Sequence, residues 1–274
     1  MLELLIISLA TASLILGGAA LLHIFPKLGA PGRNFSEWLA RAPGLDIVVT
    51  IFTIVPIVLG PIFAGWLGLL AAVIGQAIGL QLWCWAHELA NLESIRGPRI
   101  VKILNAKIGR FRNHACLWSM TPAIPVFWIV RMAEVFLWPA ISGFGRLPRY
   151  KHSEWVNCSR QKFDGLVGHD LIWCLYCDWM TGIWSLASEM LRNIESFYCP
   201  IRFSHGKKCE NCKIDFPDVD NGWVPASGTM ADVVKVLDEK YDGKLNGWFG
   251  HTHRAVQLSI NGEPIASQPR PDVK

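Results

Sequence analysis

Two Cys-x-x-Cys pairs are the residues of this sequence best suited to chemistry. They are Cys174 with Cys177 and Cys209 with Cys212. Two thiolates three residues apart converge on one side of a helix or a short turn, so they can chelate one metal ion. Residues 178–208 separate the two pairs, which is longer than the spacing of about 15–20 residues typical of zinc ribbons. The pattern therefore indicates a metal site without defining its ligand set.

Two ligand sets are compatible with the spacing. In the first set, both pairs share one ion, which ties two distant segments of the chain together. The second set is local and consists of Cys199, His205, Cys209 and Cys212. We predict the first set. Sites made of four cysteines suit zinc, which is the expected metal, and iron or an iron–sulfur cluster is the alternative.

A helix over residues 169–197 is predicted to carry the first pair. Its polar residues recur mostly at intervals of three and four, the period of one helix face, and its apolar sector is wide and rich in Trp. Such a helix lies in a membrane interface or lines a protein interior. Its polar face places Asp170 one turn before Cys174, and Asp178 next to Cys177.

The composition is that of a membrane protein. Apolar residues make up 51% of the chain and charged residues 18%, against roughly 25% charge in soluble domains. The mean hydropathy is +0.30, and the 13 Trp residues favour the membrane–water boundary. Disorder, coiled coil and a plain soluble enzyme are disfavoured. The net charge of +4 is small and dispersed, so we expect no nucleic-acid partner.

Three transmembrane helices are expected within residues 1–87, at about 2–24, 46–62 and 65–86. Residues 4–22 contain no charge. Residues 47–86 are also uncharged and, at about 1.5 Å per residue, would reach about twice the membrane thickness, so they must fold back. Gly60-Pro61 and residues 65–68 are the two possible corners, because Pro interrupts the helix ladder and Gly tolerates tight turns.

Gly75 and Gly79 form a GxxxG pair in the third predicted span. Missing side chains let two helices approach closely. We expect the pair to serve packing within the hairpin and give dimerisation second place.

The distribution of Lys and Arg predicts the orientation. No basic residue precedes the first span, whereas residues 25–44 and 88–113 are both rich in Lys and Arg. Because cytoplasmic loops carry the excess of Lys and Arg, we expect the N-terminus outside and the C-terminal module in the cytoplasm. A bacterial inner membrane is the expected location.

Residues 88–198 are expected to form a basic, interfacial or re-entrant helical region. Within it, the apolar stretch 115–145 is interrupted by Pro122 and Pro125 and carries Arg131 and Glu134, which are expected to pair one helical turn apart. The alternative is two further spans, at 115–141 and 167–190.

Residues 199–274 are expected to form a small polar metal-binding module. Thr229 with Asp232 resembles a capping box at the start of a helix, and Asn261-Gly262 predicts the turn of a short hairpin. The predicted fold class is therefore a mainly α integral membrane protein. It has about three transmembrane helices, interfacial or re-entrant helices, and a small Cys-rich α+β C-terminal module.

The sequence favours a protein that is not an enzyme. A Gly-rich phosphate loop, a nucleophile elbow and a paired His/Glu di-iron repeat are all missing. Residues 250–254 resemble the closing metal motif of calcineurin-like phosphoesterases, but the other three motifs of that family do not occur. We expect a membrane subunit or assembly factor that binds other membrane subunits and the lipid bilayer. The alternatives are a redox protein with a four-cysteine iron centre and a quinone-linked thiol–disulfide oxidoreductase using both pairs.

Overall fold

The computed structural model describes residues 1–145, 147, 149–204 and 223–240, and the backbone of two short strands at 259–260 and 263–264. The described part is mostly helical. Its α-helices are α1 (Leu2–Ile24), α2 (Gly29–Leu39), α3 (Gly44–Val49), α4 (Val55–Ala90), α5 (Leu92–Arg96), α6 (Ile100–Ile108), α7 (Arg110–Ser119), α8 (Ala123–Met132), α9 (Trp138–Gly145), α10 (His152–Trp155), α11 (Gly168–Tyr198) and α12 (Met230–Lys240). Short 3₁₀ or π turns lie at Phe25–Lys27, Thr50–Ile54, Ala133–Leu137 and Arg160–Lys162.

Three helical segments of the described chain are long and apolar enough to cross a membrane. They are Leu2–Lys27, Gly44–Ala90 and Arg110–Gly145. The first matches the predicted span 2–24, and the second contains both arms of the predicted hairpin. The third covers the stretch for which an interfacial or re-entrant position was expected, and whether it crosses, as in the alternative with two further spans at 115–141 and 167–190, stays a prediction. The three segments are consistent with a helical membrane protein.

The hairpin turns at Ala64 and Gly65. Gly65 has φ +56° and ψ −149°, a conformation that glycine adopts without the steric cost of a side chain. Of the two predicted corners, the glycine-rich one is therefore nearer the turn, and Pro61 stays inside the helix. The two arms approach closely at Gly60 and Gly68, where a Cβ on either residue would collide with the other's carbonyl oxygen.

The GxxxG pair packs the hairpin onto α1, which differs from the expected packing within the hairpin. A Cβ at Gly75 would lie 2.5 Å from the carbonyl oxygen of Ser8, and a Cβ at Gly79 would lie 2.9 Å from the Cα of Ala12. The Ser8 hydroxyl donates a 2.8 Å hydrogen bond to the Ala71 carbonyl across the same contact. The sequence shows that a close approach is possible there, but not which helix makes it.

A π turn at Thr50–Ile54 is the partner of Gln76, one of the two amide side chains in the uncharged hairpin. A π turn widens the hydrogen-bond ladder and leaves carbonyl groups underused. The Gln76 side chain donates to the carbonyls of Phe52 at 3.0 Å and Thr53 at 2.7 Å. In apolar surroundings such donors are needed, because an unpaired backbone group costs several kcal/mol there.

The chain divides into two compact units. One consists of Met1–Arg131 with His152–Trp184, and the other of Met132–Lys151 with Ser185–Lys274. The predicted division at residues 87 and 198 followed composition and stays a prediction. In the second unit, the Arg192 guanidinium lies 4.0 Å from the centre of the Trp223 ring.

Two predicted local elements are present after residue 167. Helix α11 confirms the helix expected over residues 169–197. Thr229 and Asp232 form the expected capping box: Asp232 Oδ2 accepts hydrogen bonds from the Thr229 amide at 2.7 Å and from its hydroxyl at 2.8 Å. Strands β1 (Ser259–Ile260) and β2 (Glu263–Pro264) pair antiparallel. The Cys-rich part of the predicted module and Asn261-Gly262 lie outside the described residues.

The contact between the hairpin and α1 predicts the effect of one added methyl group. Gly75→Ala should lower the free energy of unfolding by about 1–3 kcal/mol, because the new Cβ meets the Ser8 backbone. Gly17→Ala in α1 is the matched control, since a Cβ there meets nothing within 4 Å. Both changes raise helix propensity equally, so denaturant unfolding in detergent isolates the packing. Equal stability of the two variants would contradict the close approach.

Candidate functional site

One arginine contacts both thiols of the predicted pair on α11. The Arg160 guanidinium lies close enough to Cys174 and Cys177 for its charge to act on both side chains. Cys177 is exposed and Cys174 is partly buried. Sequence reasoning identified the pair but not Arg160, which lies in a separate 3₁₀ turn.

Asp178 positions this arginine. Its Oδ2 accepts hydrogen bonds from the backbone amides of Ser159 at 2.7 Å and Arg160 at 3.2 Å, and its Oδ1 lies 3.8 Å from Arg160 Nε. The carboxylate therefore holds the 3₁₀ turn beside α11. Asp178 follows Cys177 directly, so the residue expected beside the thiols instead holds the cation that faces them.

Burial and the nearby cation act on the pKa of Cys174 in opposite directions. Burial raises the pKa of the Cys174 thiol, and the Arg160 guanidinium partly offsets this because a cation stabilises the thiolate. A third thiol, Cys158, donates to the carbonyl oxygen of Leu175 at 3.7 Å, and burial raises its pKa to about 12. Cys158 is therefore a packed, protonated side chain, whereas the pair on α11 faces a cation.

Of the four predicted metal ligands, the described part of the chain contains only Cys174 and Cys177. Among residues 1–145, 147, 149–204 and 223–240, no group of three or more His, Cys, Asp or Glu side chains is arranged to hold a metal ion. The predicted ligands Cys209 and Cys212, and the alternate ligand His205, lie outside the described residues. The other alternate, Cys199, is exposed and belongs to the second unit. The zinc site and its iron alternative stay predictions.

A buried ion-pair cluster, here called the Arg99 cluster, consists of Arg99, Glu88, Asp170 and His169. Arg99 Nε donates to Asp170 Oδ2 at 2.9 Å, and Arg99 Nη2 donates to Glu88 Oε1 at 2.8 Å and to the Val167 carbonyl at 3.2 Å. Burial disfavours the charged guanidinium, but its two carboxylate partners outweigh this and raise the pKa of Arg99. Arg99 is therefore a permanent buried cation.

The start of α11 is built around Glu88. Glu88 Oε1 accepts from the His169 amide at 3.3 Å and lies 3.2 Å from His169 Nδ1, while the far side of the same ring meets the Gln81 amide group. Gly168 has φ +52°, and a Cβ there would collide with the Glu88 side chain. Glycine is therefore required at this position both by the backbone conformation and by the available space.

The Arg99 cluster joins three segments of the first unit. Glu88 ends the long α4, Arg99 precedes α6, and Asp170 begins α11. Asp170 Oδ1 also accepts a 2.9 Å hydrogen bond from the Val101 amide, which fixes the first turn of α6. The cluster positions both the helix that carries the thiol pair and the basic helix after the hairpin.

An aromatic stack extends from this region to α1. The His87 ring lies 5.1 Å from the Trp83 ring and 5.3 Å from the His23 ring, centre to centre. His87 Nδ1 also accepts a 3.2 Å hydrogen bond from the Gly168 amide. His87 and Glu88 thus have specific partners on two other helices, α1 and α11.

A second buried cation lies at the start of the hairpin. Arg131 Nε and Nη2 donate to the two carboxylate oxygens of Asp46 at 2.9 and 2.8 Å. Arg131 Nη1 lies 2.7 Å from His152 Nδ1. Burial, followed by the charge of Arg131, lowers the pKa of His152 to about 4. The neutral imidazole therefore accepts a hydrogen bond from the guanidinium.

Comparisons with protein-family models, with curated proteins and with solved structures give no match. The chain is thus assigned to a class by its three apolar segments alone, as a protein consistent with a helical membrane architecture. Its function has to be argued from the thiol pair and the Arg99 cluster.

Removal of the buried Arg99 guanidinium should lower the free energy of unfolding far more than removal of an exposed guanidinium. Arg99→Met leaves the buried Asp170 and the partly buried Glu88 without their cation, so the free energy of unfolding should fall by about 3–5 kcal/mol. Arg41→Gln removes the exposed ion pair with Glu37 and should cost at most about 1 kcal/mol. Denaturant unfolding in detergent measures both. A loss below 1 kcal/mol for Arg99→Met would show that the cluster does not hold the fold together.

The low pKa of His152 predicts that the free energy of unfolding falls at mildly acid pH. Its pKa is about 4 in the folded chain against an ordinary value of 6.5, so the unfolded state binds a proton more readily between these values. The contribution is complete above pH 6.5 and is lost as the pH falls towards 4, amounting to at most about 3 kcal/mol. His152→Gln should flatten the stability profile between pH 4 and 6.5. An unchanged slope would place the titrating group elsewhere.

Proposed function

We propose that this protein is a non-catalytic membrane subunit or assembly factor, in which a Cys-ligated zinc joins the C-terminal segment to α11. The observation that carries the proposal is the contact of Arg160 with both thiols of the Cys174–Cys177 pair. Metal ligation requires thiolates, and a four-thiolate zinc site carries a net negative charge. A guanidinium beside the sulfurs stabilises both.

The Arg99 cluster supports a structural role for such a site. It holds the first turn of α11 to the end of the hairpin through Glu88 and Asp170. A metal that joins Cys174 and Cys177 to Cys209 and Cys212 would therefore tie the C-terminal segment to a helix already fixed beside the apolar segments. In this proposal, the C-terminal segment lies in the cytoplasm at a bacterial inner membrane, as the Lys and Arg distribution predicts.

Exposed aromatic side chains outside the three apolar segments support contacts with other membrane subunits. Trp184 on α11 and Phe163 before it are 61% and 71% exposed. Large aromatic residues dominate the energetics of protein interfaces when they are buried by a partner. Both positions belong to the unit that contains the thiol pair.

One observation favours a second candidate function, thiol–disulfide exchange. Cys177 is exposed to an exchange partner, and the charge of Arg160 opposes the effect of burial on the pKa of Cys174. In that reaction the Cys174–Cys177 dithiol loses two electrons and two protons to a quinone and forms a disulfide. Electrons would reach the pair from the Cys209–Cys212 dithiol by exchange.

Elemental analysis of the purified full-length protein tests the proposal. We expect about one zinc per chain in the unaltered protein. Cys174→Ser and Cys209→Ser should each release the metal and make residues 199–274 sensitive to protease, because metal binding supplies much of the folding free energy of small metal-bound segments. Cys116→Ser removes an exposed thiol from α7 and is the matched control; it should keep its zinc.

Each other outcome points to a different function. Zinc retained in Cys174→Ser but lost in Cys199→Ser would establish the local ligand set instead. Iron with visible absorption would establish the redox alternative. A metal-free protein with a Cys174–Cys177 disulfide, detected by peptide mass, would establish thiol exchange. A lone monomer in mild detergent with no co-purifying membrane protein would overturn the subunit role.

A further inference from the structure

An exposed surface after the hairpin combines apolar and basic side chains. This basic-apolar surface comprises Ile100, Ile103 and Lys107 of α6 with Arg110, Phe111 and Arg112 of α7. Ile100 is 49%, Ile103 50% and Phe111 85% exposed. No residue of α6 is buried. A helix of a water-soluble protein normally buries its apolar stripe against the rest of the protein. The apolar stripe of α6 is not buried in this way, so something outside the described chain has to cover it.

The apolar and basic residues of α6 share one stripe. Ile100, Ile103 and Lys107 follow the spacing i, i+3 and i+7, which places them on the same helix face. The long lysine side chain can lie along that face with its ammonium group at the polar edge. Isoleucines flanked by Lys or Arg on one face are typical of helices that lie in the membrane interface.

The basic side chains on this surface are exposed to solvent. Lys102, elsewhere on α6, is already used, since its ammonium group donates to the Ile95 carbonyl at 2.5 Å. Lys107, Arg110 and Arg112 form no ion pair with any carboxylate of the described residues. Their charge is therefore not neutralised within that part of the chain.

The position of the surface favours lipid as the source of that anion. The segment from α5 to α6 lies between Gly44–Ala90 and Arg110–Gly145, both long and apolar enough to cross a membrane. Such a short connection keeps α6 near the bilayer. The bonds of Arg99 and Val101 to Asp170 fix its first turn, so the orientation of α6 is set by the fold.

We propose that the basic-apolar surface binds the headgroup region of an anionic phospholipid leaflet. Ile100, Ile103 and Phe111 enter the acyl boundary, while Lys107, Arg110 and Arg112 contact the phosphate groups. Each basic side chain near an anionic leaflet contributes an attraction that weakens with ionic strength. This inference does not depend on the metal site or on the proposed subunit role.

Relative lipid association of the full-length protein tests the proposal. The protein is reconstituted in phosphatidylcholine nanodiscs containing spin-labelled phosphatidylglycerol or spin-labelled phosphatidylcholine. We expect a preference for phosphatidylglycerol that declines as salt is raised. The triple variant Lys107→Gln, Arg110→Gln, Arg112→Gln should lose about fivefold or more of that preference, the loss expected from a single charge at low salt. Lys235→Gln in α12 is the control and should keep it.

Charge-preserving changes separate lipid binding from damage to the fold. Lys107→Arg with Arg110→Lys and Arg112→Lys should retain the preference. If the neutral triple variant does not fold, the single variants Lys107→Gln and Arg112→Gln decide, since both side chains are exposed. An unchanged preference in the neutral variants would overturn the proposal. So would an unaltered protein that does not distinguish the two lipids, or a neutral variant that keeps the lipid preference and loses a bound protein.

Discussion

The buried guanidinium of Arg99 is the constraint on which the first unit depends. A cation removed from water needs carboxylates close to it, and the chain supplies them from Glu88 at the end of the hairpin and Asp170 at the start of α11. These ligands can meet only if the chain folds back after α4 and again before α11. The cluster thus determines where α6 and α11 begin.

The hairpin presents one carboxylate at each end, and each meets a buried arginine from later in the chain. Asp46 precedes the first arm and binds Arg131, while Glu88 follows the second arm and binds Arg99. The uncharged arms can select their neighbouring helices only by shape complementarity. The two ion pairs therefore supply the directional contacts that the apolar segments lack, because a misplaced helix would leave a buried charge without its partner.

Local sequence patterns predicted where the helices lie. They did not predict which side chains from distant segments pair with each other. The absence of charge over residues 4–22 located α1, the spacing of polar residues located α11, and Thr229 with Asp232 located the start of α12. Each signal lies within a few turns of the chain. The partnership of Glu88 with Asp170 has no such signal, because nothing local in the sequence relates the two positions.

The candidate site shows the same limit. Helical spacing brought Cys174 and Cys177 to one face, but Arg160 reaches them from another segment through the bonds that Asp178 makes to its turn. The glycine pair was likewise predicted only in part. Gly75 and Gly79 signalled a close approach, and only the three-dimensional packing identified α1 as the helix that fills it.

The turn at Ala64 and Gly65 has a consequence for biogenesis. Neither residue carries charge, and neither do the arms that meet there. The two arms pair closely at Gly60 and Gly68. In the topology proposed above they would leave the translocon as one preassembled unit, whose uncharged tip would cross the bilayer without carrying a hydrated ion. The carboxylates at its two ends would then remain on the side of entry, where the arginines that follow in synthesis reach them.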